Sequence, residues 1–176
     1  MRLDDDDFTL FGLPERHALD RADLDARWRR LQAEVHPDRF AGDGAAAQRI
    51  AMQWAVRVNE AYQRLKDPLK RAAYLCERRG APIQAENNTA MPAAFLMQQM
   101  QWREALEEAA GAAEVESLQA EVTATEREML ADAARLLDVA GDAPAAAAEV
   151  RALMFVNRFR QDIERRLDTL DTAHSR

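Results

Sequence analysis

Apolar residues recur at intervals of three and four along two segments of this chain, 21–36 and 45–66, and this spacing constrains the fold more than any other feature. Such intervals place the side chains on one stripe of an α-helix. The positions concerned are Leu24, Trp28, Leu31, Val35, Ile50, Trp54, Val58, Ala61 and Leu65. No alternating run of β-branched residues is long enough to build a sheet. The sequence therefore predicts an all-α fold.

Cap residues and prolines mark where the predicted helices begin and end. Asp20 is a good N-cap for the first long helix, and Pro37 ends that helix because proline disfavours helical geometry at the preceding residue. The dipeptide Asp67-Pro68 starts a shorter helix, with Gly80 as its C-terminal cap. The first helical domain is therefore predicted to cover residues 1–80.

The second half of the chain begins with a stretch that has no periodicity, APIQAENNTAM at 81–91, which we predict to be a linker. Three more helices are predicted after it, at 92–109, 113–139 and 144–170. Helices joined by such short turns pack most simply as an antiparallel bundle. Residues 92–176 are therefore predicted to form a C-terminal three-helix bundle.

The composition of the 176 residues excludes several classes of protein. The apolar runs fall far short of the ~20 residues of a membrane span, so no membrane association is expected. A single cysteine, Cys76, excludes an intrachain disulfide, and the scattered His17, His36 and His174 match no metal-ligand spacing. The N-terminal MRLDDDD lacks the character of a secretory or transit peptide. We expect a cytoplasmic protein without a metal ion or cofactor.

The net charge of −7 is unevenly distributed along the chain. Residues 1–80 hold 15 Lys and Arg against 14 Asp and Glu, whereas residues 81–176 hold 9 against 17. Two halves of different charge indicate two surfaces with different partners. The overall acidity argues against non-specific binding of nucleic acid.

The stretch EVHPDRFAGDG joins the first long helix to a glycine-containing loop. His36 and Asp38 could form an acid–base pair, but no serine or cysteine nucleophile and no phosphate-binding glycine motif lies nearby. The tripeptide by itself also fits a solvated helix end. Its context favours protein docking, because Arg29 shares a helical face with His36 and Arg39 follows in the loop. Arg27 and Arg30 lie on the other flank of the helix. A cationic face of this kind suits an acidic protein surface.

The predicted helix at 92–109 carries two groups of apolar residues. Its core stripe consists of Phe95, Trp102, Leu106 and Ala109. The second group, Leu96, Met97 and Met100, points away from that stripe and is edged by Glu104 and Glu108. This triplet could pack on another part of the protein. It could also bind a partner, with adaptable methionines for contact and an acidic rim for orientation.

Three stretches resemble the J-domain family: DDDFTLFGLP, WRRLQAEVHPDRF and VNEAYQRLKDPLKRAAYL. In that family the basic face of the second helix and the His-Pro-Asp motif engage a DnaK-type chaperone and stimulate its ATP hydrolysis. The chaperone-binding residues that the resemblance implies are His36, Pro37, Asp38, Arg29, Arg30 and Arg39. Asp25 departs from the cation that many J domains carry near its position.

The resemblance extends beyond the J domain to essentially the entire chain. The opening FTLFGLP, the phenylalanine in HPDRF and the later AFLMQQMQWREALEE are similar to the HscB family of iron–sulfur co-chaperones. The paired-cysteine zinc segment of some eukaryotic relatives is absent here, which favours a bacterial form. The resemblance implies that the bundle binds IscU, the scaffold on which iron–sulfur clusters are assembled. The implied scaffold-binding residues are Leu96, Met97, Met100, Gln101, Glu104, Glu108 and Phe155.

The resemblance implies a co-chaperone and not an enzyme. It would bind IscU, deliver it to the DnaK-type chaperone HscA and stimulate that chaperone's ATP hydrolysis, promoting cluster transfer. The alternative is a general J-domain adaptor whose bundle binds another client or only associates with itself. A role in DNA binding is disfavoured by the acidic second half. Elsewhere, Cys76 is expected to be a buried thiol and the acidic run at 4–7 a solvated N-terminus.

Overall fold

The computed structural model describes residues 1–84 and 90–174, and every element of regular structure within these ranges is helical. The all-α prediction is confirmed. The helices are α1 (Asp7–Phe11), α2 (Arg21–Val35), α3 (Ala45–Lys66), α4 (Pro68–Arg78), α5 (Ala93–Glu108), α6 (Ala112–Arg135) and α7 (Ala143–His174). No helix within those ranges is both long enough and apolar enough to cross a membrane.

The chain divides into two compact units, Met1–Leu75 and Cys76–Arg176. The division falls inside α4, a few residues before the predicted end of the first domain. The domain limits at residues 80 and 92 stay a prediction. Residues 85–89 of the predicted linker lie outside the described part of the chain.

The first unit is built on α2 and α3, which run antiparallel. Trp28 stacks on Tyr62 with ring centroids 4.5 Å apart, whereas Val35, at the end of α2, lies near Ala51, at the start of α3. The fully buried side chains between α1, α2, α3 and the start of α4 are Phe8, Leu24, Val58, Leu65 and Leu75. The predicted stripe is therefore confirmed over most of its length.

Ile50 is an exception to the predicted stripe, since 55% of its surface is exposed. It faces the end of α2 and the short turn that follows, where little of the protein covers α3. With Val35, Phe40 and Trp54 it lines an apolar groove of about 400 Å³. Ile50 therefore lies on the predicted face of α3 without being covered, because helical spacing identifies a face but not what covers each turn of it.

The N-terminal acidic run is only partly solvated. Asp6 caps α1 by accepting a hydrogen bond from the Thr9 N–H, and Asp7 is fully buried. The Asp7 carboxylate lies 2.8 Å from a guanidinium nitrogen of Arg57 and 2.9 Å from one of Arg64. The expectation of a solvated run is wrong for Asp7, because two arginines of α3 compensate its charge and make its burial possible.

The second unit is a three-helix bundle of α5, α6 and α7, as predicted. Its core contains Trp102 of α5, which stacks on Phe159 of α7 at 5.8 Å and donates a hydrogen bond to Glu121 of α6 at 2.8 Å. The other buried members of this core are Ala109, Val115, Leu118, Val122, Val156 and Ile163. One π-helical turn, Leu136–Ala140, ends α6, and Gly141 caps it in the left-handed conformation with φ of 63°.

Two arginine side chains attach the segment before the bundle to it by donating hydrogen bonds to backbone carbonyls. Arg79 donates a hydrogen bond to the Leu137 carbonyl at 2.5 Å, and Arg151 donates one to the Ile83 carbonyl at 3.1 Å. Cys76, Ala81 and Ile83 are buried in this unit. Residues 81–84 lack regular structure, as predicted for the linker, although they are not fully solvated.

Candidate protein-docking surfaces

The His-Pro-Asp motif forms a short 3-10 turn, Pro37–Phe40, directly after α2. Pro37 occupies its first position, where a missing N–H costs nothing and the fixed φ suits a helical turn. His36 is extended, with φ of −60° and ψ of 129°, and its Nδ1 accepts a hydrogen bond from the Asp38 N–H at 3.3 Å. The motif therefore caps its own turn, which requires Nδ1 to be unprotonated.

The carboxylate of Asp38 points into solvent, since its side chain is 92% exposed. Its Oδ2 lies 3.6 Å from His36 Nδ1, too far for a hydrogen bond. Backbone bonds of the turn, including Arg39 N–H to the His36 carbonyl at 3.0 Å, fix where this carboxylate stands. A charge held in place with its oxygens free is suited to bind a cation on another molecule.

Two of the arginines of α2 are used inside the protein. Arg27 donates hydrogen bonds to the Phe11 and Gly12 carbonyls at 2.9 and 3.1 Å and pairs with Asp23 at 2.9 Å. Arg21 pairs with Asp25 at 2.8 Å. Both guanidinium groups are therefore bonded within the first unit, since Arg21 also donates to the Tyr62 hydroxyl of α3 at 3.1 Å. The placement of Arg27 on the cationic flank is wrong, because its nitrogens are bonded inside the protein.

Three other arginines remain available. Arg29 and Arg30 are exposed and make no hydrogen bond or ion pair with any residue in the described ranges. Arg39 is also exposed, and one of its nitrogens donates to the Ala33 carbonyl at 3.3 Å. The structure thus brings all six predicted chaperone-binding residues together on the last two turns of α2 and the following turn. We call them the docking face.

The Asp25 carboxylate accepts hydrogen bonds from two neighbouring side chains. Its Oδ1 accepts hydrogen bonds from Arg21 at 2.8 Å and from the Tyr62 hydroxyl at 2.9 Å. These bonds, that from Arg21 first, lower the pKa of the Asp25 carboxyl, and the same pairing raises the pKa of Arg21. Sequence reasoning identified Asp25 as a departure but did not find its partners, because Tyr62 lies on a different helix.

The second predicted surface lies on the solvent side of α5. Met97 and Met100 are each 61% exposed and Leu96 is 49% exposed, so these three do not pack on their own unit. Gln101, Glu104 and Glu108 are also exposed on the following turns. We call these six residues the α5 face.

Phe155 lies on α7 and is half buried. It precedes Phe159 by one turn, and Phe159 stacks on Trp102. Because α5 and α7 run in the same direction, Phe155 stands level with the turn of α5 that precedes Trp102. The Arg158 guanidinium lies 5.9 Å from its ring centroid. Phe155 therefore stays a predicted scaffold-binding residue.

Comparison with known proteins decides the family. A family model described as the HSCB C-terminal oligomerisation domain matches residues 91–164. A co-chaperone protein HscB homolog from Burkholderia mallei is 55% identical over 172 residues, which are 96% of this chain and 98% of that protein. One from Cupriavidus taiwanensis is 51% identical over 97% of this chain and 98% of that protein. The chain belongs to the HscB family of co-chaperones.

Solved structures of the HscB family have the same fold. Chaperone HscB from Vibrio cholerae superposes with a TM-score of 0.82 at 37% identity, covering 94% of this chain and 99% of that one. Human co-chaperone HscB superposes with a TM-score of 0.88 at 25% identity, covering 93% and 83%. The J domain followed by a helical bundle is therefore the fold of this chain, and its relatives are co-chaperones.

The single thiol of this HscB-family chain has low reactivity at neutral pH. Cys76 is fully buried, and burial raises its pKa to about 11. Almost no thiolate is present at neutral pH, and the thiolate is the reactive form. The prediction that Cys76 is a buried thiol is confirmed.

Proposed function

We propose that this protein couples an iron–sulfur scaffold to a DnaK-type chaperone in the bacterial cytoplasm. The docking face binds HscA and stimulates its ATP hydrolysis. The α5 face and Phe155 bind IscU. The protein itself carries out no covalent chemistry, so its effect on turnover comes from binding alone. Membership of the co-chaperone family supports this proposal.

One observation carries the chaperone-binding half of the proposal. The exposed guanidinium groups of Arg29 and Arg30 stand on the last two turns of α2, and the turn that follows holds the Asp38 carboxylate, whose side chain is 92% exposed. A surface with both unpaired cations and an unpaired anion can meet a partner that has an acidic patch next to a cation. Such complementarity sets the encounter rate and the orientation of the complex.

The scaffold-binding half rests on exposed apolar surface. Leu96, Met97 and Met100 each leave about half or more of their surface in water. Grouped exposed apolar residues with a polar rim are typical of protein-binding sites. Methionine side chains adapt to an irregular partner. The rim residues Glu104 and Glu108 would orient a partner that carries basic residues.

Holding both partners on one chain raises the effective concentration of IscU at HscA. ATP hydrolysis in HscA would be favoured if the docking face binds the hydrolysis-competent state more tightly than the other state, since only differential contacts shift such an equilibrium. The two surfaces would then act together, and neither needs a cofactor.

Steady-state ATP turnover tests the proposal. HscA is assayed alone, with this protein, with IscU and with both. We expect stimulation by this protein that increases further, and more than additively, when IscU is present. Stimulation that does not respond to IscU would refute the scaffold-binding half, and no stimulation in any mixture would refute the chaperone-binding half.

A second candidate for the bundle is self-association, which the description of the matching family model as an oligomerisation domain favours. The same exposed triplet could pair with that of a second copy. Sedimentation of the protein alone distinguishes the two. A dimer that Met97→Ala breaks would support self-association, whereas a monomer that binds IscU supports the first candidate.

A further inference from the structure

Asp25 interrupts the positive side of α2. It lies one turn from Arg21 on one side and one turn from Arg29 on the other, and residues four apart share a helix face. His36 lies three turns beyond Asp25 on the same side of the helix. From its N-terminus towards the docking face, this side of α2 therefore carries the cation Arg21, the anion Asp25 and then the cation Arg29.

Two neighbouring helices fix the position of this carboxylate. Arg21 and the Tyr62 hydroxyl both donate to Oδ1, and Arg21 also donates to the Tyr62 hydroxyl at 3.1 Å. Tyr62 is itself held by stacking on Trp28 at 4.5 Å. The Asp25 side chain nevertheless keeps 26% of its surface exposed. It is an ionised group that is anchored and still faces outward.

The pairing with Arg21 changes the charge pattern that a partner meets. The Asp25 carboxylate offsets the charge of Arg21, so this side of α2 carries no net positive charge before Arg29, and an approaching acidic group meets the exposed part of the carboxylate. Net positive charge begins at Arg29, which forms no hydrogen bond or ion pair in the described ranges, although its guanidinium interacts electrostatically with Asp25 one turn before it. A partner's acidic patch is therefore matched from Arg29 to Arg39 and is not matched further back along α2.

We propose that Asp25 is a specificity-determining residue of the docking face, which rejects DnaK-type chaperones whose acidic surface extends past Arg29. This inference rests on the chaperone docking proposed above. An acidic group of a partner placed opposite the exposed part of Asp25 meets a like charge, which opposes binding. Discrimination between similar partners commonly needs such a repulsive element in addition to attractive contacts. Asp25 supplies it, and its two hydrogen bonds prevent it from turning away.

The test compares two chaperones from the same bacterium, HscA and the general chaperone DnaK. Each is titrated with wild-type protein, Asp25→Asn and Asp25→Lys, and the concentration for half-maximal ATPase stimulation is measured. For DnaK we expect that concentration to fall about tenfold with Asp25→Lys and about threefold with Asp25→Asn. For HscA we expect a change of less than about twofold. Equal changes for both chaperones would overturn the inference.

Two control variants separate a local effect from general ones. Glu60→Lys makes the same change in net charge at an exposed residue of α3 that has no partner in the described ranges, and should leave the ratio between the chaperones unchanged. Tyr62→Phe removes one hydrogen bond from Asp25 but keeps its charge and the stacking on Trp28. Tyr62→Phe should keep the wild-type ratio between the half-maximal concentrations for DnaK and HscA. If its ratio instead matched that of Asp25→Lys, the effect would come from altered structure and not from the charge of Asp25.

The design separates failure of this inference from failure of the proposed function. Wild-type protein that stimulates neither ATPase refutes docking and this inference with it. If wild-type protein stimulates HscA but both Asp25 variants keep the wild-type ratio of half-maximal concentrations for the two chaperones, only this inference is refuted. Asp25→Asn is nearly isosteric, so it supplies the answer if Asp25→Lys does not fold.

Discussion

On the docking face, the exposed groups are charges whose positions are set by hydrogen bonds. His36 caps the turn that presents Asp38, and Arg29 and Arg30 are the cations that remain after Arg27 has bonded to the start of the chain. On the α5 face, the central exposed groups, those of Leu96, Met97 and Met100, are hydrocarbon and sulfur, and no hydrogen bond fixes their positions. Met97 and Met100 are placed only by the helix that carries them, which Trp102 attaches to the bundle.

The difference shows two ways in which a small protein can make a binding surface. A charged surface needs an internal network that fixes some groups and leaves others unpaired, so it is sensitive to ionic strength and to the loss of a single atom. An apolar surface needs only a helix packed by its opposite side. Its binding depends on area and tolerates small shifts of each side chain. The following experiments, from the largest expected effect to the smallest, examine this contrast.

Replacing Asp38 by Asn should nearly abolish stimulation of HscA. Loss of one charge from a desolvated pair costs about 2–5 kcal/mol, so at least roughly 30 times more protein would be needed. Thermal unfolding and IscU binding should stay as in the wild type, because the side chain is exposed. Asp43→Asn, an exposed carboxylate just after the turn, is the matched control. Equal effects of the two substitutions would contradict a specific role for Asp38.

Replacing both Met97 and Met100 by Ala should weaken IscU binding by roughly 30- to 1,000-fold, since central apolar contacts are worth about 1–2 kcal/mol each. Isothermal titration at low and high salt measures it. The loss should persist at high salt, in contrast with docking on HscA. Val139→Ala, which changes an 81% exposed residue elsewhere in the second unit, should have no effect. Unchanged binding by the double variant would remove the α5 face from the scaffold site.

Arg27 and Arg30 test whether internal bonding divides the arginines of α2 into two roles. Arg27→Ala loses hydrogen bonds to two carbonyls and should lower the free energy of unfolding by about 1–2 kcal/mol. Arg30→Ala should leave stability unchanged within about 0.5 kcal/mol and raise the half-maximal concentration for HscA about threefold. Urea unfolding and ATPase titration of both variants give the answer. If both variants changed the free energy of unfolding and the half-maximal concentration for HscA equally, the arginines of α2 would not have two separate roles.

The smallest effect is expected inside the second unit, at Glu149. Burial, and then the nearby Asp132, raise the pKa of this carboxyl. The folded state therefore holds the proton more tightly than the unfolded chain, and the stability this gives at low pH is lost as pH rises through the raised pKa. Glu149→Gln should raise Tm at pH 7 by about one or two degrees and leave it unchanged at pH 4. The exposed Glu116 serves as control.

Spacing and caps were enough to predict the helices and the α5 face. Asp20 does cap α2, and Pro37 does end it, because both act on their own neighbours. The outward direction of Leu96, Met97 and Met100 followed from their angle to Trp102 on one helix. Features that depend only on neighbouring residues and on the period of a single helix can be predicted without a structure.

Contacts between distant residues were not predictable in this way. Asp7 looked like one of four solvated acids, and only the folded unit brings Arg57 and Arg64 to it. The division of the arginines of α2 depends on carbonyls of Phe11 and Gly12, which no spacing rule relates to Arg27. The residues of the docking face could therefore be predicted, but not which of the neighbouring charges are already paired.

The burial of Asp7 has a consequence for how the protein is made. Its backbone N–H donates to the Tyr74 hydroxyl, a residue 67 positions later in the chain. Ribosomes add about 5–20 residues per second, so roughly 3–13 seconds pass between the synthesis of these two residues. During that interval the newly made acidic segment has no Tyr74 to bind, and for most of it no Arg64 has been made either. The N-terminal helix can reach its final place only after most of the first unit has left the ribosome.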